Sequence, residues 1–144
     1  MDIIFDVDGT LMDITHRRHH VMTTPKDFKS FRAATGDDTP NMDVFAVAIA
    51  LKAAGNRIII SSGRNASDRA ITNHQLLHAG LNFDAMFLRK DGDHRQDHIV
   101  KGEMLDDMGA QGFFPTIAFD DRQQVVGMWR AKGLRVFQVA PGDF

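Results

Sequence analysis

Compact apolar runs alternate with amphipathic stretches along most of this chain, and each amphipathic stretch is followed by a glycine. No other feature restricts the fold as much. The apolar runs cover residues 3–7, 57–61, 85–88, 116–119 and 135–139. They lack the polar–apolar alternation of half-exposed strands and read as strands covered on both faces. Helix candidates lie between them at residues 42–54, 67–78, 97–108 and 122–132. Gly55, Gly80, Gly109 and Gly133 follow these stretches, at the point where a helix ends on a residue tolerant of positive φ. The pattern predicts a three-layer α/β/α domain, Rossmann-like, with a five-stranded parallel sheet.

One segment interrupts this rhythm. Residues 12–40 separate the first strand from the first regular helix, too far apart for an ordinary strand–helix loop. Pro25 is expected to start a short helix through Phe28 and Phe31, which pin the segment to the domain; Thr35-Gly36 ends it, and Pro40 opens the next helix. The segment reads as a small cap insert within a single domain spanning residues 1–144. Between His16 and Arg32 it carries five Arg/Lys, three His and one acid, Asp27.

Composition narrows the classes of function. Hydrophobic residues make up 43% of the 144, enough for one core. Cysteine is absent, which excludes disulfides, thiolate metal sites and a cysteine nucleophile. The formal charge of −2 is unlike that of a protein coating long nucleic acid. No secretory signal is visible, and the longest apolar run, residues 44–51, is too short to span a membrane. A cytoplasmic location is the resulting expectation.

Ligands bind beyond the carboxyl ends of strands in an open parallel sheet. Three predicted strands end there in polar residues: Asp6-Val7-Asp8-Gly9-Thr10, Ser61-Ser62-Gly63-Arg64 and Asp120-Asp121-Arg122. Gathered carboxylates require a cation, and an all-oxygen ligand set suits Mg²⁺. Asp6 and Asp8, one residue apart, point to the same side of a regular strand. Such a pair divides the labour of phosphoryl transfer, one carboxylate attacking phosphorus and the other moving protons. Burial and neighbouring carboxylates are expected to raise the pKa of Asp8. Asp37-Asp38 and Asp106-Asp107 read as solvated, and Trp129 as core. His16, His19 and His20 lack a second ligand cluster that would make a zinc site.

DVDGTL, with its apolar strand, resembles the nucleophile motif of the haloacid dehalogenase (HAD) phosphohydrolases, and the later motifs follow in that family's order. The stretches Gly92–Lys101 and Asp120–Arg130, with Pro141-Gly142-Asp143-Phe144, are similar to the phosphatase domains of bacteriophage polynucleotide kinase/3′-phosphatases. The resemblance implies a HAD fold with Asp6 as nucleophile, Asp8 as general acid/base and Lys101 neutralising phosphoryl charge. Ser62 and the Gly63 amide hold phosphoryl oxygens, and Thr10, Arg17, Arg64 and Asp97 join the substrate-binding set. Arg18 competes with Arg17 for its role. Mg²⁺ is implied at Asp6, Asp8 (through its carbonyl), Asp120 and Asp121. No phosphate-binding loop G-x-x-x-x-G-K-[ST] occurs, so no kinase half is expected in this chain.

The resemblance favours removal of 3′-phosphates from nucleic-acid ends or nucleotides, in nucleic-acid repair. Phe28 or Phe31 is a candidate base platform. Alternatives are a 5′-nucleotidase acting on (deoxy)nucleoside monophosphates, a non-catalytic module that binds phosphate or nucleic-acid ends, and a phosphate-accepting receiver.

Overall fold

The computed structural model describes residues 1–143. Its main sheet has five parallel strands in the order β5-β4-β1-β6-β7: β1 (Asp2–Phe5), β4 (Arg57–Asn65), β5 (Ala85–Arg89), β6 (Pro115–Asp120) and β7 (Arg135–Gln138). The chain runs from β1 outward through β4 to β5, then returns to the other side of β1 with β6 and β7. The strand order therefore reverses at β1, and the crevice at its carboxyl end is where such sheets take ligands.

Alternating side chains assign the two faces. Ile4, Ile59, Ala118 and Val136 lie in register across four strands. They pack with Val100, Met104 and Met108 of α4 (Asp97–Ala110) and Val125, Val126 and Trp129 of α5 (Gln123–Ala131). Ile3, Phe5, Ile58 and Ile60 face the other way, against Phe45 and Ala48 of α2 (Met42–Ala53) and Leu76 of α3 (Arg69–His78). These are the expected two helical layers around a sheet buried on both sides. Among the described residues no helix is long and apolar enough to cross a membrane.

Boundaries differ where side chains or ring chemistry intervene. Pro40 does not open a helix. It belongs to β3 (Thr39–Pro40), which pairs antiparallel with β2 (Met12–Asp13). Asn41 caps α2 instead, and its amide N–H and Nδ2 donate to Leu11 O at 2.8 Å and Thr10 O at 2.9 Å. Pro25 likewise precedes its helix. The Asp27 carboxylate accepts from Ser30 N at 3.0 Å and sets the start of α1 (Phe28–Ala33) at Phe28. Gly109 lies inside α4, and Gly112 takes the positive φ that follows it. Gly55, Gly80 and Gly133 do follow their helices with positive φ. Residues 12–40 thus hold only short elements, including a 3-10 helix at Thr15–Val21 that the sequence pattern did not reveal.

Candidate active site

β1 ends at Phe5, and the chain leaves the sheet through a tight turn. The amides of Thr10 and Met12 donate to Val7 O at 3.1 and 2.9 Å, and Gly9 N donates to Met12 O at 2.8 Å. Gly9 adopts φ +83°, and a Cβ there would fall 2.2 Å from Asp121 Oδ2. Glycine is required on both counts. Asp8 therefore lies in the turn rather than in a strand, and the same-side rule does not extend to it. The two aspartates meet different partners.

Asp6 joins Asp120 and Asp121 in a buried triad whose ligand oxygens lie within 4.8 Å of one another. Lys101 reaches in from α4, its Nζ 2.7 Å from Asp6 Oδ1 and 3.0 Å from Asp120 Oδ2. Thr10 Oγ1 donates to Asp6 Oδ2 at 3.1 Å. Burial above all, then the charge of Asp120, pushes Asp6 well above the usual carboxylate range, with Lys101 opposing. Burial and Asp120 raise Asp121 as well. Burial disfavours the Lys101 ammonium, but Asp120, Asp6 and Asp97 outweigh it and hold Lys101 above its ordinary value. Three carboxylates against one ammonium leave an excess of negative charge that one divalent cation would neutralise, and hard oxygen ligands fit Mg²⁺.

Asp120 is held by four donors: Lys101 and the Trp129 indole N–H at 3.2 Å on Oδ2, and the amides of Asp121 and Arg122 on Oδ1. Trp129 is core, as expected, and it also orients this carboxylate. A cleft of about 190 Å³ opens beside Gly9 and Asp121, lined in part by Asp13, Thr15, Arg18 and Pro141.

Asp8 turns to a second network. Arg17 NH2 and Arg64 Nε donate to its Oδ1 at 3.0 and 2.9 Å. Its Oδ2 has no hydrogen-bond partner among the described residues. Both arginines also grip Asp38, Arg17 through Nε at 2.7 Å and NH2 at 2.8 Å, Arg64 through NH2 at 2.9 Å. His16 Nε2 lies 2.7 Å from the same carboxylate. The remaining Arg64 donor meets Thr72 Oγ1 and Gln75 Oε1 on α3.

Several expectations change here. Asp38 is a buried counterion rather than a solvated residue; its side chain has no solvent exposure. Arg17 and Arg64, expected to contact phosphate, donate in this structure to Asp8, Asp38 and neighbouring protein groups. The Asp8 carboxylate faces two guanidiniums rather than the carboxylates expected to surround it; its expected share in Mg²⁺ binding is through the carbonyl. Asp97, expected in the substrate-binding set, is engaged by two arginines. Its oxygens receive Arg89 from β5 and, at 2.7 Å, Arg122 NH1. Burial alone would raise its pKa, but Lys101, Arg122 and Arg89 together lower it.

The Ser-Gly-Arg motif lies in the bulged end of β4. Ser62 is fully buried, its Oγ accepting from Arg64 N at 3.1 Å, and a Cβ on Gly63 would meet Asp97 Oδ1 at 2.8 Å. The sequence reading passed over Arg89, although an arginine closing an apolar strand at the carboxyl edge obeys the rule that picked out the other motifs. Asp38 carried no such local signal. Phe31 pins the insert through Arg17, whose guanidinium carbon lies 4.2 Å from the ring centroid. Phe28 does not; it is 59% exposed.

Residues 1–144 match the family of the polynucleotide kinase PNKP phosphatase domain. The chain belongs to that family. Two solved structures with which it shares 32% identity and a TM-score of 0.83 are described as a Pnkp1/Rnl/Hen1 complex and a Pnkp1/Rnl/Hen1 RNA repair complex. The match covers 99% of this PNKP-type domain, but only 47% and 43% of those chains. The domain spans less than half the length of these relatives. The fold also matches phosphoserine phosphatase as a phospho-aspartyl intermediate analogue, at 20% identity over 93% of this chain and 84% of that one, TM-score 0.58. A class C acid phosphatase from Bacillus anthracis with tungstate bound aligns at 15% identity over 99% of this chain and 66% of that one, TM-score 0.65. The PNKP-type phosphatase domain thus shares the three-layer fold of HAD phosphatases.

Proposed function

We propose that this PNKP-type domain is a Mg²⁺-dependent phosphomonoesterase that works through an aspartyl-phosphate on Asp6, and that its substrate is the 3′-phosphate of a nucleic-acid end. The observation that supports this reading is the junction of two networks at one turn: a buried, lysine-bridged triad holding Asp6, and an arginine clamp holding Asp8 by one oxygen. Family membership supports the phosphatase assignment.

Asp6 Oδ attacks phosphorus in line, and the bond from phosphorus to the 3′ oxygen breaks. Asp8 carries the proton to that departing oxygen. Because Arg17 and Arg64 hold Oδ1, Oδ2 is the oxygen available for proton transfer. Water then attacks the aspartyl-phosphate while Asp8 takes its proton, which releases inorganic phosphate and restores Asp6. Lys101 offsets charge on the phosphoryl oxygens, and Ser62 with the Gly63 amide supplies neutral donors. Asp6, Asp120, Asp121 and the Asp8 carbonyl would hold Mg²⁺, which when bound supplies a Lewis acid and cancels carboxylate repulsion. Residues 12–40 act as a small cap over this crevice. The described RNA repair complex of the relatives makes an RNA end one arm of the test.

Phosphate release should be measured with 3′-phosphorylated RNA and DNA oligonucleotides, nucleoside 5′-monophosphates and an aryl phosphate, with Mg²⁺ and with chelator. The expected result is turnover of 3′-phosphorylated ends that requires Mg²⁺ and is abolished in Asp6→Asn. Preference for 5′-monophosphates would replace the substrate assignment, and full activity of Asp6→Asn would overturn the mechanism.

A further inference from the structure

The insert carries an exposed surface that the active-site networks leave unused. Six-residue α1 buries none of its side chains. Phe31 and Arg32 tie it down, the first against Arg17, the second through donors to Asp68 and Ser67. Phe28 is left 59% exposed, with Met22 nearby in sequence at 76%. Lys26 and Lys29 flank it and are also exposed, with Lys26 Nζ 6.0 Å from the centre of the Phe28 ring. Asp27, the single acid of this stretch, has its carboxylate engaged on Ser30 N. An exposed aromatic ring with an ammonium beside it and a second exposed lysine next in the chain is the arrangement that receives unpaired nucleotides, ring against base and cation against phosphodiester.

The position of this surface adds to the argument. The Arg17 guanidinium contacts Asp8 on one side and the Phe31 ring on the other. Phe28 lies one helical turn before Phe31 on α1, so the exposed ring belongs to the same short helix that Arg17 links to Asp8. A membrane surface fits poorly, because six residues are too few for an interfacial helix.

We infer that Lys26, Phe28 and Lys29 form a docking site for the single-stranded nucleotides that precede the terminal 3′-phosphate. This inference rests on the substrate proposed above and adds the determinant that separates a strand end from a mononucleotide. Phe28 stacks on a base, and the two lysines meet the backbone phosphates on either side of it.

The test uses the full chain in two assays. The first compares kcat/KM for a ten-nucleotide single-stranded RNA ending in a 3′-phosphate with that for a nucleoside 3′-monophosphate. Phe28→Ala should raise KM for the oligonucleotide roughly ten-fold, and Lys26→Ala/Lys29→Ala should lower the salt dependence of KM by about two charges. Both variants should process the mononucleotide like wild type. The second assay follows anisotropy of the same RNA, fluorescently labelled and lacking the phosphate, with polyglutamate as competitor. Phe28-dependent binding without turnover would support the docking site while refuting the 3′-phosphatase reading. Turnover of the oligonucleotide with both variants unchanged would overturn the docking site and leave that reading intact. Equal losses on both substrates, or displacement of the RNA by polyglutamate, would also overturn it.

Discussion

Trp129 donates its indole N–H to Asp120 Oδ2 at 3.2 Å from a position with no solvent exposure. The same oxygen accepts from Lys101, so a core residue of α5 and a catalytic candidate of α4 jointly orient one carboxylate of the triad. Trp129→Phe keeps an aromatic body in the core and removes the donor. Loss of such an orienting partner lowers metal affinity about 10–100-fold. The Mg²⁺ concentration for half-maximal phosphate release should therefore rise by that order, with far-ultraviolet circular dichroism and a cooperative thermal melt still reporting a folded chain.

Asp38 neutralises Arg17 and Arg64 where neither side chain has more than slight exposure. Removing one partner of a buried ion pair leaves uncompensated charge and costs about 3–5 kcal/mol. Asp38→Ala should show a loss of that size in urea unfolding. It should also reduce kcat, because Arg17 and Arg64 lose the carboxylate that holds both guanidiniums in place against Asp8 Oδ1.

At Gly9, conformation and space act together. Alanine at φ +83° costs about 1–2 kcal/mol, and its Cβ would intrude on Asp121. Gly9→Ala should therefore lose Mg²⁺-dependent activity by at least about ten-fold, a larger effect than its modest fall in melting temperature. Parallel titrations of activity against Mg²⁺ and thermal melts separate the two effects.

Acid should weaken the fold through identifiable carboxylates. Asp2 is lowered chiefly by its hydrogen bonds to Arg57, which outweigh burial, and Asp97 is lowered by three cations that overcome burial. For both, the unfolded chain binds protons more readily. Their contribution is present above the ordinary value of 3.8 and is lost as pH falls through their depressed native values. Thermal melts across that range should show declining stability. The double variant Asp2→Asn/Asp97→Asn should start lower at neutral pH and decline less.

The parallel sheet and its two helical layers were legible because their cause is local and repeated. Uniform apolar runs need cover on both faces, and Gly55, Gly80 and Gly133 stop helices whatever the surroundings. The motif residues were legible because a strand's carboxyl end is fixed by its own sequence. Asp6, Ser62, Arg64 and Asp120 could be assigned to one edge without knowing how they touch.

Which side chains pair across that edge was a question for the packed chain. Asp38 lies 21 residues from Arg17 and 26 from Arg64, and no periodicity links them. A buried charge takes whichever counterion the folded backbone brings within reach, because leaving it unpaired in low dielectric costs more than any local preference returns. For the same reason Arg17 and Arg64 turn to Asp8, Asp97 turns to Arg89 and Arg122, and Trp129 completes the hold on Asp120. Order along the polypeptide determined which chemical groups reach the crevice; desolvation in three dimensions decided their partners.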